Sequence, residues 1–367
     1  LMQDMDHAVD RINRAVDTEE KIMVYGDYDV DGTTSVALMT SFLKSLTNQV
    51  TPYIPDRYIE GYGISYQGID HAASRGISLI VALDCGVKAI DKVTYAKEKG
   101  IDFIICDHHL PGERLPAAVA LLDPKRLDCS YPFDELCGCG IGFKLIQALV
   151  KNRSLDNAIL YPYLDLVVTA IAADIVPMVG ENRTLSFFGL DQVRKNPRPG
   201  IKAFLGMLKK PVEITDLVFK VAPRINAAGR MDHALKAASL LMSNNPDEVQ
   251  ELALQIEAFN ANRRSTDEQI TKEALVQIEE RNECNFPATV VYHDKWHKGV
   301  VGIVASRVIE THYRPTVVLT RAKDTYVGSV RSVKGFNVYQ ALEACKEHMI
   351  QFGGHKYSAG LTLHKNQ

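Results

Sequence analysis

Asp27, Asp29 and Asp31 fall within five residues, directly after the apolar run Lys21–Tyr25 (KIMVY). Three more polar clusters end or interrupt apolar runs in the first half of the chain: Asp84 after SLIVAL, Asp107-His108-His109 after DFIIC, and Asp174 within IAADIV. A buried strand ends where its apolar run ends. Carboxylates and imidazoles at several such ends can therefore converge on one crevice outside the carboxyl ends of the strands, where open α/β sheets bind ligands. Carboxylate oxygens with one or two imidazoles are the donor set of Mg²⁺ or Mn²⁺ rather than of a thiolate-bound zinc. Two such ions can activate water and clamp the oxygens of an in-line displacement at phosphorus. Hydrolysis of a phosphate ester or anhydride is the reaction class these residues imply.

Each cluster also has a plainer reading. Three ionised aspartates in five residues repel one another unless a cation neutralises them, but a solvated acidic turn with an aspartate N-cap has the same composition. Asp84 could be a second N-cap. The adjacent histidines could be satisfied turn residues; alternatively, one ligates a metal, the other contacts substrate, and Asp107 fixes a tautomer. An unpaired charge at Asp174, in an apolar helical stretch, would be costly, and a structural salt bridge is the competing account. Four accidental clusters in one α/β region are improbable together, and this joint occurrence favours a metal site.

The elements that must position these residues follow from the spacing. Lys21–Tyr25, Ser78–Leu83, Asp102–Cys106 and Ala118–Leu122 are expected strands. Helices are expected at Thr33–Leu46 and Ala89–Lys99. Strand–helix alternation at this spacing predicts βαβ units and a parallel sheet. A glycine-rich turn, Gly138-Cys139-Gly140-Ile141-Gly142, leads into a predicted helix over Phe143–Lys151, and another follows at Tyr161–Ala173. Residues 186–286 read as a mostly helical connector, ending in one long amphipathic spacer helix from Asp247 to about Glu280. Strands at Ala288–Tyr292, Thr316–Thr320 and Thr325–Val330, with helices at Val300–Thr311 and Val338–Glu347, form a second α/β pattern. The expected organisation is a parallel-sheet domain over 1–185, the connector, and a smaller α/β domain over 287–367.

Bulk properties narrow the class. The chain has 367 residues, too many for one core to be the default. No apolar stretch approaches the roughly 18 residues of a membrane span, and no signal peptide is visible at the start. Seven cysteines without an export signal predict a reduced, cytoplasmic protein. Cys137-Gly138-Cys139 lacks a second pair at zinc spacing. Residues 1–190 carry 17 Lys and Arg against 26 Asp and Glu, a net −9, whereas residues 191–367 carry 25 against 19, a net +6. An acidic first part fits a metal site, and a basic second part is compatible with a polyanion partner.

At these motifs the chain resembles the DHH phosphoesterase superfamily, whose name is the triplet at 107–109. The resemblance rests on GDYDVDGTTS at 26–35, ALDCG at 82–86, CDHHLPGE at 106–113 and AADIVPM at 172–178. RINAAGRMDHA at 224–234, WHKGVVGIVASR at 296–307, GSVRS at 328–332 and FGGHKYSAGLTL at 352–363 resemble the superfamily's DHHA1 substrate domain. The resemblance runs over essentially the whole chain and is greatest to single-strand-specific 5′→3′ exonucleases of bacteria. It implies Asp29, Asp31, Asp84, His108 and Asp174 as ligands of two divalent ions, Mn²⁺ before Mg²⁺. Asp27 or Tyr25 would complete the shell, because other branches place a histidine where Tyr25 stands. It implies His109 on the scissile phosphate, with Asp107 orienting it. Arg224, Asn226, Arg230, Arg331, Ser332, Gly353, Gly354 and His355 would then contact substrate phosphates. Single-stranded DNA would lie between the domains and be cut to 5′-mononucleotides in DNA repair and recombination. A single-strand-binding protein and a repair helicase are the implied partners, and the chain is expected to be a monomer. Members of this branch continue into an OB-type domain, so the sequence is expected to be a catalytic core. A small-substrate phosphodiesterase and a non-catalytic scaffold are the alternative readings.

Overall fold

The computed structural model of the chain describes residues 1–174, 176–206 and 210–365; Ile175, inside the AADIVPM motif, lies outside them. The chain forms two compact units, Leu1–Asn260 and Ala261–Gln367. The helices of residues 186–260 thus belong to the first unit.

The first unit is built on a five-stranded parallel sheet of order β2-β1-β3-β4-β5. Its strands are β1 (Ile22–Gly26), β2 (Val50–Tyr53), β3 (Leu79–Leu83), β4 (Asp102–Cys106) and β5 (Ala120–Leu122). Helices cover both faces, which is why β1 and β3 read as unbroken apolar runs. Ile22, Val24, Leu79, Val81, Leu83, Ile104 and Cys106 point into the larger core. The alternate residues Met23, Tyr25, Ile80, Ala82, Phe103 and Ile105 point into a second core on the opposite face. Each fully buried aliphatic side chain contributes about 1.5–3 kcal/mol, so both faces are pinned and the register cannot slip.

The larger core lies among α1 (Met5–Asp17), α2 (Val30–Lys44), α5 (Gly138–Asn152) and α6 (Leu164–Asp174); α3 (Tyr66–Ser74) and α4 (Ile90–Glu98) serve the other face. Helix α5 begins five residues earlier than expected. Its glycines form the first helical turns rather than a preceding loop, because a Cβ at Gly138 would lie 2.6 Å from Asp84 Cβ and one at Gly142 2.6 Å from Leu83 Cδ2. Next come α7 (Gly180–Lys195), α8 (Pro199–Leu205), the single turn α9 (Ile214–Asp216), a π turn at Leu217–Val221, α10 (Ala222–Met231) and α11 (Leu235–Met242). The expected long helix is α12 (Pro246–Glu280), and the division between the units falls within it.

The second unit holds a mixed sheet of order β6-β7-β8-β10-β9: β6 (Thr289–Tyr292), β7 (Thr316–Ala322), β8 (Thr325–Arg331), β9 (Met349–His355) and β10 (Ser358–His364). Only β6 and β7 are parallel. Helix α13 (Val301–Thr311) supplies Val304, Ala305 and Val308 to the buried interior. Val330, Val338, Leu342, Ala359 and Leu361 form a further cluster together with α14 (Val338–Glu343). Among the described residues, no helix is long and apolar enough to cross a membrane.

One buried ion pair ties the helical layer together. Asp165 on α6 is fully buried, and its carboxylate accepts from Arg198 Nε at 2.8 Å and from the Arg198 amide at 2.9 Å. Arg198 Nη1 also donates to the Leu241 carbonyl on α11 at 2.8 Å. Removing one partner strands a buried charge. Arg198→Ala is expected to lower stability by about 3–5 kcal/mol, measured by urea unfolding at neutral pH. The double variant Arg198→Met/Asp165→Leu should lose less than Arg198→Ala does.

Candidate metal centre

The strand order reverses between β1 and β3, which opens a crevice outside their carboxyl ends. The acidic clusters are delivered there. β1 ends at Gly26, and the next turn carries Asp27, Asp29 and Asp31. Asp29 is the N-cap of α2, its side chain accepting from the Gly32 amide at 3.0 Å. Gly32 must lack a side chain, because a Cβ would lie 2.3 Å from the Asp27 carbonyl oxygen. Asp84 follows β3 with a left-handed φ of 59°. Asp107 and both histidines follow β4, and Asp174 is the last residue of α6.

His108 Nε2 is the meeting point. It lies 3.1 Å from Asp84 Oδ1, 3.7 Å from Asp174 Oδ2 and 3.8 Å from Asp31 Oδ2. Burial, then the charge of His109, pushes His108 down to about 4, so its imidazole is neutral at pH 7. The carboxylates around it are destabilised as anions. Asp31 and Asp84 are raised well above the ordinary carboxylate range by burial and then by neighbouring aspartates. Asp27 is pushed up to about 8 by burial and Asp29, and Asp174 to about 7 by the same causes. Asp29 raises all four, so it faces the same space.

These residues fit divalent cations. Ligand atoms of Asp84, His108 and His109 lie within 4.8 Å of one another, as do those of Asp31, His108 and Asp174. The two groups share His108, and neither includes Asp27 or Asp29. Asp27 Oδ1 is nevertheless buried with no hydrogen-bond partner, a costly state that a cation would relieve. The donors are hard oxygens with imidazole nitrogen, the set preferred by Mn²⁺ and Mg²⁺.

The remaining candidates fall in distinct places. Asp107 is in neither group. Its carboxylate accepts from the amides of Val87 (2.8 Å), His108 (2.8 Å) and His109 (3.2 Å), and from His109 Nδ1 (2.7 Å). Burial opposes its charge, but these bonds hold it below the ordinary range. Burial likewise opposes a charge on His109, yet its bond to Asp107 lifts the imidazole above its usual value. Tyr25 takes no part: its buried hydroxyl donates to the Gly63 carbonyl at 2.8 Å and accepts from the Ser65 amide at 3.2 Å. On α10, Arg224 is engaged by Glu257 at 2.5 Å and by the Lys220 carbonyl at 2.7 Å; Asn226 is half-buried on the same helix. Arg230 comes nearer the acidic turn. The Tyr58 hydroxyl donates to its carbonyl, and a Cβ on neighbouring Gly229 would lie 2.8 Å from the Tyr28 carbonyl oxygen.

In the second unit, Arg331 pairs with Ser358, which in turn pairs with His355 across β8, β10 and β9. Directly paired residues of antiparallel strands share a face, so Arg331 and His355 stand on one side of this sheet. Arg331 Nη1 donates to Ser329 Oγ and to the Val330 carbonyl, both at 2.9 Å, and burial lowers its pKa. Ser332 Oγ donates to the Phe336 carbonyl at 2.9 Å. Gly353 and Gly354 lie within β9, and a Cβ at Gly354 would lie 2.3 Å from the Ser358 carbonyl oxygen. His355 is exposed at the strand end.

Two residues near the site carried no signal in the sequence reading. Tyr62, between two glycines, places its hydroxyl 3.1 Å from His109 Nε2. Asp123, at the end of β5, is fully buried, with Oδ2 unpartnered and a pKa pushed up to about 7, mainly by burial. A position just past the short strand β5 was its available cue.

Residues 21–171 match the DHH family, N-terminal domain, and residues 285–367 the DHHA1 domain. The chain is 41% identical over 368 residues to the single-stranded-DNA-specific exonuclease RecJ of Bacillus subtilis, covering 99% of this chain and 46% of that protein. It is 38% identical over 385 residues to the RecJ of Salmonella typhimurium, covering 99% and 67%. The chain therefore spans about half to two thirds of these relatives' length. The fold is similar to a crystal structure of exonuclease RecJ bound to manganese, with a TM-score of 0.87 and 29% identity, covering 100% and 91% of the two chains. It is also similar to a RecJ of Thermus thermophilus in complex with Mg²⁺, with a TM-score of 0.78 and 26% identity, covering 100% and 50%.

The raised carboxyls make metal binding and stability depend on pH in opposite senses. Asp27 and Asp174 have folded pKa values near 8 and 7, above their unfolded value. The stability they lend the metal-free protein is full below about pH 4 and is lost as pH rises through about 7 to 8. A cation binds the ionised forms and so offsets that loss. The gain in Tm on adding Mn²⁺ is expected to grow from about pH 6 to about pH 8, as measured by differential scanning calorimetry with and without EDTA. A constant gain across that range would contradict this linkage.

Proposed function

This chain belongs to the RecJ family of proteins with DHH and DHHA1 domains, and from that membership we propose that it is the catalytic portion of a metal-dependent exonuclease. Its substrate is single-stranded DNA, degraded 5′→3′ to 5′-mononucleotides in DNA repair and recombination. The observation that carries the reading is the convergence of Asp31, Asp84 and Asp174 on a neutral His108 within 4 Å of Nε2. Relatives across 99% of the chain bear the name of single-stranded-DNA-specific exonuclease. A single-strand-binding protein and a repair helicase are the partners that go with this role.

In this reading Asp29, Asp31, Asp84, His108 and Asp174 hold two divalent ions, with Asp27 alongside. Bound there, such ions supply Lewis acidity toward water and positive charge toward phosphate oxygens. The protein's own part is positional. Asp107 accepts from Nδ1 of His109, which fixes the ring and leaves Nε2 to face the scissile phosphate. Asp107 stays ionised because four N–H groups point at it. Arg331 and His355, on one face of the second sheet, contact neighbouring phosphates by charge-assisted hydrogen bonds.

The test uses purified protein, Mn²⁺, and oligonucleotides labelled at either the 5′ or the 3′ end. Immediate release of the 5′ label as a mononucleotide, with no cleavage of duplex, is the expected result. Hydrolysis confined to dinucleotides would make the chain a small-substrate phosphodiesterase, and no metal-dependent hydrolysis at all would make it a scaffold. Asp84→Ala should abolish activity, and wild-type turnover in that variant would remove the metal assignment. Arg331→Ala should raise KM about tenfold or more with little change in kcat, the size of one lost charge-assisted bond of about 1.5–3 kcal/mol.

A further inference from the structure

The imidazole of His109 is held at both nitrogens. Asp107 Oδ1 lies 2.7 Å from Nδ1, and the Tyr62 hydroxyl lies 3.1 Å from Nε2. Asp107 accepts from two further amides through the same oxygen, so Nδ1 carries the proton in this pair. The Tyr62 hydroxyl is both donor and acceptor, so it can meet Nε2 whether or not that nitrogen carries a proton. Tyr62 presents its ring edge-on to His109, with centroids 6.2 Å apart and planes at 81°.

Tyr62 is more firmly placed than an exposed loop tyrosine needs to be. It emerges between Gly61 and Gly63, whose φ values of 86° and 76° lie in the left-handed region. The carbonyl of Gly63 is the acceptor for the buried Tyr25 hydroxyl, and Ser65 donates to that same hydroxyl. On the other side of Tyr62, Glu60 accepts from Tyr53, from the Asp56 amide and from Ser65. Tyr25 and Tyr53 stack at 5.2 Å. The position that other branches of the superfamily fill with a histidine is thus occupied by an anchor for the segment that carries Tyr62. Tyr28 meets the Tyr62 ring edge-to-face at 6.3 Å and carries Arg57 over its own face at 4.1 Å.

We propose that Tyr62 is a positioning residue for His109: its hydroxyl holds Nε2 in line with the site until substrate binds, when a phosphate oxygen replaces it as acceptor of the Nε2 proton. No bond is made or broken by Tyr62; it fixes the ring that Asp107 alone would leave free to tilt about one hydrogen bond. The kinetic part of this proposal rests on the exonuclease reading, whereas the hydrogen bond itself does not.

The experiment is a double-mutant cycle with Tyr62→Phe and His109→Asn, followed by single-turnover hydrolysis of a short 5′-phosphorylated oligonucleotide at high enzyme. Tyr62→Phe should lower the rate about tenfold, equal to about 1.4 kcal/mol, with KM changed less than about twofold and Tm unchanged. In the His109→Asn background the same substitution should have no further effect, since its route of action is gone. An equal loss in both backgrounds, or no loss in the first, overturns the proposal. Independently of activity, the ¹⁵N resonance of His109 Nε2 in the metal-free protein should shift in Tyr62→Phe, while that of Nδ1 stays fixed. An unmoved Nε2 signal overturns the proposal even if the wild-type protein proves to hydrolyse nothing, an outcome that would sink only the exonuclease reading.

Discussion

The carboxylate of Asp31 sits on the two amides that begin α5, 2.6 Å from the Gly138 nitrogen and 2.8 Å from that of Cys139. Much else depends on this contact. A fully buried carboxylate among other carboxylates is expensive, and the positive end of a 15-residue helix is a fixed partial charge that offsets part of the cost without neutralising the group. The bond draws the start of α5 onto the turn after β1. Gly138 is thereby brought so near Asp84 that no side chain fits between them. Asp31 and Asp84 therefore face one imidazole because α5 is docked, and α5 docks because Asp31 is there. Fold and site are one arrangement at this point.

The same closeness explains what could be read from the sequence. β1, β3 and β4 were legible because parallel strands covered on both faces are continuous apolar runs, and their ends marked the residues that matter. Asp31, Asp84 and His108, which meet around one imidazole, lie just past those ends, whereas Asp174 ends a helix. The start of α5 was not legible, because three glycines within five residues argue against a helix when propensity is all one has. Tertiary crowding by Asp84 and Leu83 overrides that preference. β2 is a four-residue strand containing Pro52, and α3 follows a loop of turn residues, so neither stood out. The hairpin β9–β10 was missed for another reason. β9 is an edge strand, mostly exposed, with two glycines and no alternation to follow.

Side-chain partnerships were the least legible layer. Arg224 and Arg230 sit in one motif six residues apart, yet Arg224 is taken by Glu257 whereas Arg230 lies beside the acidic turn. Tyr25 and Tyr62 carry no pattern that distinguishes them from core or surface tyrosines. One is buried and anchors a loop, and the other is exposed and touches His109. Such roles depend on contacts between residues 38 and 47 positions apart, which no local periodicity encodes. The cross-strand row of Arg331, Ser358 and His355 belongs to the same layer: its two ends lie in separate motifs, and only the pairing of β8, β10 and β9 puts them on one face.

Asp84 has a further consequence. Its backbone lies in the left-handed region, φ 59°, where aspartate is tolerated but glycine is at ease. Its carboxyl is buried among like charges. Both features favour replacement: glycine would relax the backbone by an amount on the order of 1 kcal/mol and remove the repulsion as well. Under random substitution the metal-free fold therefore drifts toward a more stable protein with an empty crevice. On the metal assignment proposed above, aspartate stands at this position for the ion and at the expense of the fold.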